Sequence, residues 1–182
     1  MAAYSKASVA RPSGMPGAGI NPMNKLILID CDDLSAFPAR DQDGVTVGSS
    51  STGGSITLAS GAKAIAIYFT PGSATVTSNS EGDPDAEGFK PNVQVAHPGN
   101  EAAIRKFKAN WIGKNIILLM QYCDKDTVDI FGTPCNPMRL QASYEGNSEA
   151  NRNQLTFEQA YKGNDIGIYA GDIPALDTDS TT

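Results

Sequence analysis

The chain has 182 residues, 40% of them apolar and 19% charged, and its 14 basic against 20 acidic residues leave a net charge of −6. That length predicts one domain whose core needs neither metal nor disulfide, and the acidic balance argues against a phosphate-gripping surface, because nucleic-acid affinity is mostly neutralisation by Lys and Arg. Apolar runs such as residues 116–120 fall far short of the ~20 residues of a membrane-crossing helix, and no apolar segment of a secretory signal stands near the start. The three cysteines, Cys31, Cys123 and Cys135, have no CxxC spacing and predict free thiols in a reducing compartment.

The 18 Gly and 11 Pro point to many turns and few long helices. Residues 1–24 carry Pro12, Pro16 and Pro22 among Gly14, Gly17 and Gly19, which forbids a regular element. A segment that cannot fold on itself is expected to lie on a neighbouring subunit.

Strands are expected at 26–30, at 64–70 with Ile65, Ile67 and Phe69 on one face, and around Val93 and Val95. Residues 115–122 (NIILLMQY) are apolar on both faces, which predicts a central strand. Further strands follow at 127–131, at 138–145, where apolar and polar residues alternate, at 155–157 and at 165–170. One helix is expected after Pro98-Gly99, with Asn100 as its cap, with Ala103, Ile104, Phe107 and Trp111 on one face, and with Gly113 as its stop. Trp111 reads as filler against the sheet. Residues 48–60 and 77–91 are polar and aperiodic, and read as long loops.

These elements predict a mainly β protein, a β-sandwich or half-barrel with one flanking α-helix and an extended N-terminal arm. The expected division is an assembly arm at 1–24, the domain at 25–174 and a polar C-terminal tail at 175–182.

Several short motifs carry residue types used in catalysis or metal binding. Asp30-Cys31-Asp32 after an apolar strand resembles the first motif of haloacid-dehalogenase-type phosphatases, which implies a nucleophilic Asp30 and a magnesium ion. The resemblance covers about seven residues, and the β/α alternation it requires is missing, so a solvated acidic turn is the simpler reading. Asp83-Pro84-Asp85-Ala86-Glu87-Gly88 imitates the start of a calcium loop, but Glu87 stands at the fifth position and Gln94 at the twelfth; an exposed acidic hairpin tip is expected instead. His97, the only histidine, lies in a turn-like Ala-His-Pro-Gly with no nucleophile motif near it. Cys123 and Cys135 flank an expected hairpin and read as packing residues. No catalytic residue, cofactor or metal is therefore assigned.

Residues 80–114 (SEGDPDAEGFKPNVQVAHPGNEAAIRKFKANWIGK) lead into the strand 115–122. The turn Phe131-Gly132-Thr133-Pro134-Cys135-Asn136-Pro137-Met138, the strand 139–145, Gly146-Asn147, Leu155-Thr156-Phe157-Glu158 and a closing strand at 163–171 follow. In element order and turn composition, residues 60–171 resemble virion structural proteins of tailed bacteriophages, most closely tail tube subunits.

That resemblance implies a homo-oligomer without enzymatic activity, built as stacked, usually hexameric rings. DNA passes through the lumen without specific binding. Other virion proteins are implied as partners, no membrane is involved, and the site is the virion, assembled in the host cytoplasm. It implies that the arm and the loops 48–60 and 77–91 make subunit contacts, which singles out Pro12, Met15, Pro16, Ile20, Pro22, Ile56, Leu58 and Phe89. A capsid decoration, connector or tail-completion protein is the alternative within that class, and a small magnesium-dependent phosphohydrolase the alternative outside it.

Overall fold

The computed structural model describes residues 8–14, 17–49 and 53–177. In chain order its elements are β1 (Pro22–Asp30), β2 (Leu34–Ala36), β3 (Thr46–Val47), β4 (Thr57–Leu58), β5 (Ile65–Tyr68), β6 (Thr75–Glu81) and β7 (Gly88–Pro98). The helix α1 (Ala102–Trp111) is followed by β8 (Ile116–Tyr122), β9 (Val128–Phe131), β10 (Met138–Gly146), β11 (Asn151–Gln159) and β12 (Gly167–Tyr169). The protein is mainly β with one α-helix among the described residues, as its patterning predicts.

The sheet forks at β8. Along one edge β8 pairs with β1, Leu26 opposite Met120 and Asp30 opposite Ile116. Along the other it pairs with β9 at Leu118–Gln121 and with β10 only at Ile116↔Met138. One leaf therefore runs β5-β1-β8-β9-β12-β3 and the other β10-β11-β7-β6, joined at the fork.

The two leaves close on a shared core in which Leu26, Leu28, Leu118 and Met120 meet Val93, Val95, Leu155 and Phe157, with Ile104 of α1 at one end. The opposite face of β1 and β8 presents Ile27, Ile29, Ile117 and Leu119 to a second core, covered by Ile56, Leu34, Phe37, Ile173 and Leu176 from the connecting segments. This double burial is why IILLMQY carries no polar alternation. Where only one face is buried the period of two returns: Met138 and Leu140 are buried while Arg139 and Gln141 are exposed.

Several expectations need correction. The aperiodic segment 77–91 is a hairpin, in which β6 and β7 pair from Thr75↔Gln94 to Glu81↔Gly88. Val76, Val93, Pro91 and Phe89 share one face of this ladder, but on β6 only Val76 is apolar, with Ser78 and Ser80 following it, so the hydrophobic pattern does not announce the strand. His97 lies in β7 and not in a turn.

The arm ends at Asn21, because Pro22 already pairs with Tyr122. The domain extends past 174: Ala64 N–H donates to Ala175 C=O at 3.0 Å and Asp177 N–H to Ala64 C=O at 2.8 Å, forming a short parallel bridge at Leu176. The helix is capped at Glu101 and not at Asn100. Arg105 Nε donates to Asn100 C=O at 2.9 Å, so Asn100 anchors the turn through its backbone. Gly113 (φ 81°) supplies the left-handed step that ends the helix.

Candidate functional site

Asp30 does not stand as a nucleophile poised over an open site. Its carboxylate accepts from Asp32 N–H at 3.0 Å and from Lys114 Nζ at 2.8 Å, and Lys114 also reaches Asp32 at 3.4 Å. The pair is a clamp that caps the 3-10 turn Cys31–Asp33 and ties the end of β1 to the start of β8. Between the two carboxylates, burial and their negative charge push the Cys31 thiol up to about 11.

The hexapeptide 83–88 forms the tip between β6 and β7, where Glu81, Asp83, Asp85 and Glu87 are exposed and Asp85 takes a left-handed conformation (φ 69°). No group of three or more His, Cys, Asp or Glu side chains gathers as a metal site among the described residues. Cys123 and Cys135 are exposed free thiols. His97 Nδ1 lies 2.8 Å from Tyr68 C=O and binds the end of β5 to β7.

The residues singled out for subunit contact fall into four groups. Pro12 and Ile20 are exposed, as is every described residue of the arm, with Val9 94% exposed. Phe89 is exposed too, its backbone exchanging two hydrogen bonds of 2.9 Å with Gly163. Pro22 is half-buried at the start of β1.

Ile56 and Leu58 need correction. Ile56 is buried in the second core, its N–H donating to the Tyr169 hydroxyl at 2.9 Å, and Leu58 packs on that core while pairing with Leu34. Their apolar surface is spent inside the subunit. Met15 and Pro16 lie outside the described residues.

Sequence reasoning passed over a groove between the outer edge of β5 and α1. It has a volume of about 440 Å³ and is lined by Ile67, Tyr68, Ile104, Phe107, Trp111 and Asp177, among others. Trp111 is half-buried and stacks with Phe107, ring centroids 6.0 Å apart, so it serves both core and groove.

The backbone of β5 decides what the groove can accept. Phe69 N–H donates to Asn24 C=O across the β1 ladder at 3.2 Å, so in antiparallel alternation the odd residues face β1 and Ala64, Ala66, Tyr68 and Thr70 face outward. Ala64 is engaged by residues 175–177, Thr70 N–H donates to Ala96 C=O at 2.8 Å, and Tyr68 C=O is held by His97. Three outward groups lie between these ties: Ala66 N–H, Ala66 C=O and Tyr68 N–H. The signal in the sequence was Ala66, a small residue on the exposed side of an alternating strand, which leaves an edge open to approach.

Comparison with family models, with curated proteins and with solved structures gave no match to the chain. Function rests on the geometry. No described helix is long and apolar enough to cross a membrane.

Proposed function

We propose that this chain is a structural subunit that assembles with copies of itself, and that stacked rings forming a phage tail tube are the assembly it suits best. The observation that carries this reading is an arm exposed at every described position, attached to a sandwich with an open edge at β6 and a gap in the edge of β5 at Ala66 and Tyr68. β-Proteins blunt such edges unless pairing is their purpose.

The charge supports a lumen through which DNA passes without binding, because an acidic wall repels phosphates. The outer face of the hairpin adds to that support. It presents Thr75, Thr77, Asn79, Asn92 and Gln94, and its Lys90 is neutralised by Glu158. In this reading the protein belongs to the virion, is assembled in the host cytoplasm and meets other virion proteins at the ends of the tube. A decoration, connector or tail-completion role would use the same surfaces at a copy number that follows capsid area or a single vertex instead of tail length.

Negative-stain electron microscopy of the purified chain tests the reading. Rings or tubes are the expected image. A field of monomers at high protein concentration overturns it.

A further inference from the structure

Resting on that reading, we infer that the groove between β5 and α1 receives residues 8–11 of a second copy's arm, of which 8–10 form an added antiparallel strand. Strand addition needs an open edge for the main chain and a pocket for alternate side chains, and both are present.

The register follows from the ties on either side of the gap. With Ser8 opposite Tyr68 and Ala10 opposite Ala66, Tyr68 N–H donates to Ser8 C=O, Ala66 N–H donates to Ala10 C=O, and Ala10 N–H donates to Ala66 C=O. The Tyr68 carbonyl, already held by His97, asks nothing of the arm. Val9 then falls opposite Ile67 and turns its side chain toward Phe107 and Trp111, which line the groove. Ala64 is already paired with Leu176, so the added strand leaves the edge after Ala10 and Pro12 lies beyond it. Arg11 leaves the edge at that point, near the Asp177 carboxylate that pairs with Lys63 at 3.6 Å.

Charge and length choose this occupant. Residues 1–24 carry Lys6 and Arg11 and no acid, in a chain that is otherwise strongly acidic. The groove's rim carries Asp177, and Glu101 stands exposed at the adjacent end of α1. The gap admits about three residues between the ties at either end, and 8–11 is the longest described stretch of the arm that holds neither Pro nor Gly.

The test is a disulfide. Ala10→Cys and Ala66→Cys are introduced together in the full chain carrying Cys123→Ser and Cys135→Ser, since a hydrogen-bonded antiparallel pair brings Cα atoms to about 5.5 Å, inside the disulfide range. Particles that sediment faster than monomer are collected and oxidised. A ladder of covalent dimers and higher species on non-reducing gels is expected.

Assembled particles that give no cross-link, or only a closed loop within one chain, overturn the arm-in-groove contact and leave self-assembly standing. Chains that never sediment beyond monomer overturn both. Two single variants sharpen the outcome. Ala66→Pro removes an outward N–H at an edge position that tolerates proline, and Val9→Asp puts a charge where the apolar pocket is. Each is expected to raise the assembly midpoint concentration about tenfold or more with thermal unfolding of the subunit unchanged. An unchanged midpoint in both contradicts the inference.

Discussion

β8 and β6 are strands of seven residues in one sheet, and they differ in nearly everything else. β8 has six of its seven residues buried and packs on two cores, whereas β6 has none buried and belongs to the rim. Burial of apolar surface is the dominant favourable term in folding, so β1 and β8 hold the fold while β5, β6 and the arm are left open to other contacts. An isolated subunit can then be stable and still carry unpaired strand edges.

The sharpest way to break this comparison is to truncate one side chain in each strand. Leu119→Ala should lower unfolding free energy by about 2–5 kcal/mol, because Leu119 is wholly buried and the cavity cannot collapse between two packed layers. Thr77→Ala should stay within about 0.5 kcal/mol. Denaturant titration reads both, and equal losses would contradict the division.

A second pair contrasts two left-handed glycines. Gly132 (φ 83°) lies by the fork, where an added Cβ would stand 3.1 Å from Met138 Cγ and 3.2 Å from Ile116 C=O; Gly72 (φ 76°) has nothing within 4 Å. Either change to Ala carries the left-handed penalty of about 1–2 kcal/mol. Gly132→Ala should be the more destabilising of the two by thermal melting, since it adds steric crowding at the joint of the leaves.

The last contrast is a pH dependence at the end of β1. The folded Cys31 thiol ionises at about 11 instead of 9.0. A group whose pKa is raised on folding contributes stability that is complete below the unfolded value and is lost as pH rises through the folded one. Stability should therefore fall between pH 9 and 11, and Cys31→Ala should flatten that slope. An unaltered slope would mean that Cys31 is not held against Asp30 and Asp32 as described.

What was legible in the sequence divides along the same line. The double-faced burial of residues 116–120 and the alternation of Met138, Arg139, Leu140 and Gln141 could be read directly, because burial dictates those residues. β6 could not: Thr75, Thr77 and Asn79 bury nothing, and their strand exists because β7 lies beside it. Ile56 and Leu58 were misplaced for a related reason. A Ser/Thr/Gly-rich surrounding masks two apolar residues that cover a second core, and that core is visible only once β1 and β8 are seen to be apolar on both sides. The groove was hidden because its parts come from residues far apart, and its open groups belong to the backbone of Ala66 and Tyr68, on which side-chain patterning is silent.

The central proposal is that the N-terminal arm joins subunits while the sandwich stands alone, and sedimentation velocity of the full chain against a chain lacking residues 1–21 tests it most directly. The account predicts large assemblies for the full chain and a folded monomer, with an unchanged melting temperature, for the shortened one. Assemblies that persist without the arm, or a shortened chain that unfolds, would contradict it.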